Sequence, residues 1–496
     1  MEGEDPVAAN IMCNGLRLDF IEGLEPSLSS ELREEWIVKG EQAVRLSPFV
    51  KEWYQDGLIG KLELTDIPPS WFSRLFTVPK DEDKWRPIID LSKLNKKIMK
   101  KFFRMEDLRK ISKIIHPGLW GVKLDLKDAY HHIPLAREIW KFFRFAILID
   151  GKIEVFFFKV LPFGLTTAPW AFSRVLKPIK KELRLLGITI TSYLDDFLIL
   201  ARSKQEALDQ TQIVIDVLQR YGFNINWEKT SLEPLRVLDY LGVTLDLVNQ
   251  TFSLPKEKVS RILAYCSMGR KAQFLTRRDL EKLVGYLNFA AQYLKLGRLF
   301  LKPIQAWMEK NTSAWNRDQR VPSNKELREA LVPWADPDFL STPIPMKPRA
   351  FNMTLMTDAS EDAWGGILQP QKATAAWPIE WQGMSMNWKE LKAIHMSILV
   401  FQERLRGQCV RILSDNMTAL ACLRREGSLA SEALWFLSME LLTFAQEQEI
   451  SLVPVHLKGK LNVLADQASR NRLISTEWRL DPHTLGGVVC DWENPK

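Results

Sequence analysis

Gly187-Ile-Thr-Ile-Thr191-Ser192-Tyr193-Leu194-Asp195-Asp196-Phe197-Leu-Ile-Leu200 is the stretch on which the fold turns. Two short apolar runs, Gly187–Thr191 and Phe197–Leu200, flank an acidic pair, a pattern that reads as a tight β-hairpin carrying two adjacent carboxylates at its tip. Aspartates are poor strand formers and neighbouring carboxylates repel, so a purely structural role fits badly. A divalent cation resolves the conflict, because hard cations take oxygen ligands, usually one or two carboxylates together with substrate phosphates. Asp-Asp turns are also common on protein surfaces, and the hairpin alone leaves that reading open.

Working outward, Gly121-Val-Lys-Leu-Asp125-Leu-Lys-Asp128-Ala129-Tyr130 reads as a second strand ending in an acidic turn. Aspartates from separate strands can hold two metals, the clamp that aligns attacking and leaving oxygens in phosphoryl displacement. Four blocks then occur in one order: Trp85-Arg86-Pro87-Ile-Ile-Asp90, Leu124-Asp125-Leu-Lys-Asp128-Ala-Tyr130, Leu161-Pro162-Phe163-Gly164 and Tyr193-Leu194-Asp195-Asp196. In order and spacing they resemble the motifs of reverse transcriptases, over about residues 45–305. The resemblance implies that Asp125, Asp195 and Asp196 hold two Mg²⁺ ions, for which Mn²⁺ can substitute, within the Tyr193-Leu194-Asp195-Asp196 motif. It implies that Arg86 meets the incoming dNTP, with Lys80 nearby, a guanidinium fork being suited to phosphate oxygens. The amides of Asp128 and Ala129 complete the phosphate cradle, and Tyr130 matches the ring beneath the sugar that excludes a 2′-hydroxyl; an ordinary core aromatic is the other reading of Tyr130.

Phe163, before Gly164, stands where retroviral enzymes carry glutamine, and implies packing against the template–dNTP pair. Lys229, in Asn226-Trp-Glu-Lys229-Thr, matches a lysine proposed as general acid to the departing pyrophosphate; a solvated lysine fits the same position. Leu241-Gly242 falls at the primer grip, where glycine lets backbone approach closely.

A second constellation lies toward the other end. Asp358 closes the apolar run from Met353, and Gly365-Gly366-Ile-Leu suggests a hairpin partner. Glu390 lies in the first turns of an amphipathic helix starting at Asn387, and Asp415 ends the strand-like Val410-Arg-Ile-Leu-Ser. Asp466 follows His456 by ten residues. Singly, these acids are compatible with caps and turns. Together Asp358, Glu390, Asp415 and Asp466 resemble the four-carboxylate site of ribonuclease H, which implies two further Mg²⁺ ions, a mobile His456 near the scissile phosphate, and an RNA–DNA hybrid as substrate.

At 496 residues with 46% apolar content, several packed domains are expected. Charge is distributed unevenly: residues 93–113 hold nine Lys/Arg against two acids and residues 256–282 eight against three, stripes that would neutralise phosphates or, taken alone, form solvated helix faces. Five scattered cysteines fit neither a disulfide framework nor a zinc site and suggest reduced thiols and an intracellular location, cytoplasmic or nuclear. No apolar run of 18 residues and no signal-peptide pattern occur, so membrane insertion and secretion are not expected. Of eighteen tryptophans most should pack in cores, and some of Trp85, Trp120, Trp140, Trp170 and Trp227 can stack on bases.

The expected architecture is a multidomain α/β (α+β) chain: a right-hand polymerase of fingers, palm and thumb, a connection, and a mixed-sheet ribonuclease H-like domain. Residues 1–35, with nine acids and two bases, read as a flexible or loosely docked arm; 36–250 as fingers and palm; 251–310 as thumb and the start of a connection. Thr276 with Asp279 reads as a capping-box-like helix start. Residues 311–348, with six prolines, read as a linker or short connection, 349–472 as the ribonuclease H-like domain, and 473–496 as a tail without assignable role. The motifs look most like DIRS-type retrotransposons among LTR-type retroelements, with gypsy-type elements and pararetroviruses as close alternatives. The partners implied are an RNA template, a DNA primer, dNTPs, and the recombinase and capsid-type proteins of such an element. No protease motif, zinc knuckle or integrase segment is recognisable. A domesticated nucleic-acid-binding protein, or a structural subunit, is the rival class. The intact carboxylates argue against it.

Overall fold

In the computed structural model the anticipated hairpin pairs Thr189–Tyr193 antiparallel with Asp196–Ala201, opposing Tyr193 with Asp196 and leaving Leu194 and Asp195 as the turn. Leu194 takes a left-handed φ of 54°, which costs a residue bearing a Cβ about 1–2 kcal/mol. The structure describes residues 5–81, 84–313, 316–428 and 430–458, and beyond these 462, 465, 468, 469 and 489–491. They divide into two compact units, Met1–Leu241 with Leu245–Gln250, and Gly242–Thr244 with Thr251–Lys496.

The first unit centres on a four-stranded antiparallel sheet in the order Ser231–Leu235, Trp120–Asp125, Asp196–Ala201, Thr189–Tyr193. Val122, Leu124, Phe197 and Ile199 are fully buried in it, each contributing about 1.5–3 kcal/mol by leaving water. Helices Ala168–Leu185 and Lys204–Arg220 pack on this sheet. The second starts where the Ser203 hydroxyl accepts from the Glu206 amide, and it buries Ala207, Thr211, Val214, Ile215 and Leu218, a spacing that makes one apolar face. A second sheet, ordered Ile37–Val38, Arg144–Ile149, Lys152–Phe158, Ile59–Leu62, and the hairpin Leu75–Asp81/Lys84–Ile89 form the finger elements. Asp150-Gly151, both left-handed, closes the tight turn between the two central strands of that sheet.

The loosely docked arm expected at residues 1–35 is corrected over its described part. Pro6–Asn14 is a helix capped by Asp5, with Ala8, Ala9 and Ile11 buried; Asp5 pairs with Arg174 at 3.1 Å, and Leu16 joins the main core. At nine residues it is too short to be stable by propensity alone, and tertiary docking supplies the rest.

In the second unit, helices Lys256–Lys271, Arg277–Ala290 and Gly297–Asn311 share a core that includes Leu280, Leu287, Ile304 and Trp307. The capping box at Thr276 and Asp279 is formed in both directions. The proline-bearing segment is a folded connection rather than a free linker. Its short helices Lys325–Ala330 and Pro337–Ser341 insert Leu327, Leu331, Trp334 and Leu340 into that same core. A six-stranded mixed sheet follows, ordered Ser451–His456, Cys409–Ser414, Met353–Ala359, Ala363–Leu368, Gln371–Ala376, Val489–Asp491, and helix Met386–Val400 packs on it through Ala393, Ile394 and Ile398. Helix Gly297–Asn311 is shared: Leu296 and Leu299 enter the core of this sheet domain, and buried Lys302 donates to the carbonyls of Arg425, at 2.8 Å, and Glu426. The Glu426 carboxylate in turn accepts from the Arg298 amide at that helix's first turn.

Candidate functional site

Strand register builds the first cluster. Asp125 lies directly across from Asp196, and Asp195 occupies the turn beyond. Asp125 is 5% exposed. Burial, then the charges of Asp195 and Asp125, push the Asp196 carboxyl up to about 6; burial and Asp125 also raise Asp195, while Lys229 and Arg86 act to lower it. A buried carboxylate beside two half-buried ones whose proton affinity it raises offers oxygen ligands that fit a hard divalent cation.

A cavity of about 800 Å³ opens over this cluster. It brings together Arg86, Asp125, Asp128, Ala129, Tyr130, Phe163, Leu194, Asp195 and Lys229. Arg86 sits opposite Val78 in the finger hairpin and is exposed. Lys80 lies on the strand Leu75–Asp81, and its side chain is outside the described residues. Asp128 turns left-handed, φ 47°, and so starts the short helical turn Ala129–His132. The Tyr130 ring lies 5.1 Å from Phe163 and 5.7 Å from Phe172, and burial with the nearby Asp195 pushes its phenol up to about 12. The ring is therefore a neutral wall. Lys229 Nζ is 3.8 Å from Asp125 Oδ1 and half-exposed.

Gly164 is behind the cavity rather than in its lining. Its φ of 103° excludes most side chains, and a Cβ there would lie 2.8 Å from the Ile89 carbonyl. Asn95 pins this turn, donating to the Gly164 carbonyl at 2.8 Å and accepting from the Thr166 amide at 2.9 Å. Leu241 and Gly242 both take left-handed φ, 50° and 76°. Among the tryptophans, Trp227 is exposed at the cavity, Trp85 and Trp120 lie under the guanidinium groups of Arg45 and Arg236, and Trp140 stacks on Phe157.

Four supporting residues have no local sequence signal. Glu106 accepts from Thr191 Oγ1 at 2.7 Å, the Ser192 amide at 3.1 Å and Arg184 at 3.0 Å, fastening the hairpin strand. Burial works to raise its carboxyl, but Lys180, Thr191, Arg184 and Ser192 outweigh that and hold it at about 2. Tyr240 donates to the Asp196 carbonyl at 2.9 Å, and Asn226 and Thr230 contact Asp125.

In the second unit, Asp358 ends the strand Met353–Ala359, Asp415 follows the parallel strand Cys409–Ser414, and Glu390 projects from helix Met386–Val400. One oxygen from each lies within 4.8 Å of the others. Burial, then Asp358 and Asp415, push the Glu390 carboxyl up to about 8, and its buried Oε2 has no hydrogen-bond partner among the described residues. An orphaned carboxylate oxygen facing two more carboxylates also fits a divalent cation. His456 ends its strand exposed, paired with Ser414 and thus beside Asp415. Asp466 lies outside the described residues. Ser469 donates to Asp358 Oδ2 at 2.5 Å, an approach that Gly365 permits, since a Cβ there would meet the Ser469 amide at 2.7 Å.

Of the basic stripes, residues 93–113 include Phe102, which is 94% exposed between Lys101 and Phe103. Among the described residues no helix is long and apolar enough to cross a membrane. The cysteines Cys13, Cys266, Cys409 and Cys422 are free thiols.

Residues 78–245 match the family model for reverse transcriptase (RNA-dependent DNA polymerase). The chain is 25% identical over 247 residues to Protein P of heron hepatitis B virus, covering 48% of this chain and 31% of that protein. It is 23% identical over 440 residues to the Transposon Tf2-3 polyprotein of Schizosaccharomyces pombe, covering 85% and 30%. The chain thus spans about a third of the length of these relatives. In fold it is similar to the foamy viral protease-reverse transcriptase solved with dsDNA (TM-score 0.54, 15% identity, 88% of this chain and 86% of that one) and with an RNA/DNA hybrid (TM-score 0.53, 15% identity, 95% and 59%). Fold, register and family match converge on one statement: residues 78–245, with the Asp125, Asp195 and Asp196 cluster among them, are a reverse transcriptase domain.

Proposed function

We propose that this chain is a retroelement reverse transcriptase that copies RNA, and also DNA, into DNA at the first cluster and cleaves the RNA strand of RNA–DNA hybrids at the second. The observation that carries the reading is the strand register that opposes Asp125 to Asp196 within a reverse transcriptase domain, at the floor of a cavity walled by Arg86, Tyr130 and Phe163. Asp125, Asp195 and Asp196 would hold two Mg²⁺ ions, and Asp358, Glu390 and Asp415 with Asp466 two more. Bound there, the cations would supply the Lewis acidity and alignment for in-line displacement at phosphorus.

The chain's own residues do the rest. Arg86 would face the triphosphate from the finger hairpin with a guanidinium fork suited to phosphate oxygens. The Asp128–Ala129 backbone cradles the phosphates, and Lys229 stands where a proton can be passed to pyrophosphate. Tyr130, a neutral ring held by Phe163 and Phe172, limits the space beneath the sugar. In the second cluster His456 would lie near the scissile phosphate, a reading that its exposed position beside Asp415 supports. That the foamy viral relative in fold was solved with dsDNA and with an RNA/DNA hybrid supports nucleic-acid duplexes as substrates. The DIRS-type motifs support a retrotransposon that uses a recombinase, and the free thiols support an intracellular location.

Primer extension on an RNA template with dNTPs and Mg²⁺ tests the reading. Wild type should extend and Asp195→Asn should not. Failure of well-folded wild type across several primers would return the chain to the class of binding or structural subunits.

A further inference from the structure

One loop holds the first cluster from behind. Residues 224–230 follow helix Lys204–Arg220 and meet Asp125 at four points. The Asn226 amide N–H donates to the Asp125 carbonyl at 2.8 Å, and the Asp125 N–H donates to Thr230 Oγ1 at 3.1 Å. Asn226 Nδ2 donates to Asp125 Oδ1 at 2.7 Å, and Lys229 Nζ is 3.8 Å from that same oxygen. The loop also anchors the cradle turn. Lys127 N–H donates to the Asn224 carbonyl at 2.9 Å, and Asn224 N–H donates at 3.1 Å to Nε2 of His132, whose Nδ1 faces the Ala129 carbonyl at 3.3 Å.

The backbone bonds and Thr230 already close this loop. The Asn226 side chain is therefore free for another task, and its recorded partner among the described residues is a carboxylate oxygen. We propose that Asn226 is a positioning residue of the polymerase site: its amide occupies one oxygen of Asp125, fixes the rotamer of that carboxylate and leaves the other oxygen for a cation. An amide suits the task because it donates without bringing a charge. Lysine alone at this distance would hold the carboxylate by attraction without setting its plane. Trp227 and Lys229, on the same loop, line the cavity, so the loop that carries Asn226 belongs to the site. The inference rests on the polymerase reading of the cavity and assigns it a residue that acts through Asp125.

The test compares full-length wild type with Asn226→Ala and Asn226→Leu. Mn²⁺ binding is followed by electron paramagnetic resonance, and the part of the signal lost in Asp125→Asn identifies the site. Extension is measured across Mg²⁺ and dNTP concentrations, with hybrid cleavage and melting temperature read on the same preparations. Asn226→Ala should weaken Mn²⁺ binding at the site and raise the Mg²⁺ needed for half-maximal extension by about tenfold, as loss of a ligand's hydrogen-bond partner does elsewhere, with the dNTP KM little changed. Cleavage and melting temperature should stay at wild-type values. Unchanged Mn²⁺ binding and Mg²⁺ dependence would overturn the proposal. So would a fall in extension that tracks a lowered melting temperature and that added Mg²⁺ does not restore. Should Asn226→Ala fail to fold, Asn226→Leu, which keeps the bulk but loses the donor, must show a larger metal defect than Thr230→Val; equal defects overturn it. Wild type that binds Mn²⁺ at the site yet makes no DNA would defeat the polymerase reading alone, because the binding arm still reports on Asn226.

Discussion

The two carboxylate clusters solve the same electrostatic problem differently. In the first, repulsion is tempered by the protein: Asn226 donates to Asp125, and Lys229, Arg86 and Lys123 act against the raised affinity of Asp195 and Asp196 for protons. Asp196 then sits at about 6. In the second, a buried glutamate faces two aspartates with one oxygen unpartnered among the described residues, and it sits at about 8. The first site is thus preorganised as an ionised pocket. In the second, burial and the two aspartates favour the protonated form of Glu390.

The largest expected effect is separation of the two activities. Asp195→Asn should lower synthesis by at least about a thousandfold with hybrid cleavage intact, and Asp415→Asn should do the reverse, since on the proposed reading each would remove a ligand of one clamp. Loss of both activities in either folded variant would merge the two sites and end the comparison.

Next comes the buttress of the first cluster. Glu106 sits at about 2 against an ordinary value of 4.5, so its contribution is complete above pH 4.5 and is lost as pH falls toward 2. Glu106→Gln should cost the first unit about 2 kcal/mol at pH 7, with the gap to wild type closing in acid. Urea melts at pH 7 and pH 3 read this directly, and a gap that persists at low pH would assign the loss to packing.

A smaller effect of opposite sign is expected at Glu390. Its carboxyl is raised, so without metal the charged form is penalised increasingly as pH climbs from 4.5 through about 8, and stability declines across that window. Glu390→Gln should abolish cleavage yet raise the metal-free melting temperature by several degrees at pH 8, from about 1–2 kcal/mol of relieved burial cost. A variant that melts lower than wild type in EDTA would show that Glu390 is already compensated. The smallest shift is in the metal response: Mg²⁺ should stabilise wild type at pH 8 more than Glu390→Gln, by about 1 kcal/mol. Equal shifts would place the cation elsewhere.

Much of this was legible in the chain because it is local. A hairpin announces itself through apolar runs around Tyr193, and a capping box through Thr276 and Asp279, each within a few residues of sequence. What escaped is what depends on distant partners. Glu106 meets Thr191 across 85 residues, and Asn226 meets Asp125 across 101, so neither pattern exists until the sheet forms. The helix Pro6–Asn14 escaped for a related reason: its stability lies in a groove made by residues more than a hundred positions away, such as Arg174. The six prolines of 311–348 marked interruptions in regular structure and said nothing about Leu327 or Trp334 entering a core.

Helix Gly297–Asn311 carries a consequence for how such chains are assembled in evolution. Its side chains serve two hydrophobic cores at once, and buried Lys302 depends on two carbonyls in the turn at Arg425 and Glu426. The seam between the modules therefore does not coincide with the proline-bearing stretch. A mixed-sheet domain traded between related chains at that stretch would arrive without its half of the lock, leaving Lys302 and Leu299 facing water on the recipient. Successful exchange would have to carry the helix along, or find a recipient whose helix already fits.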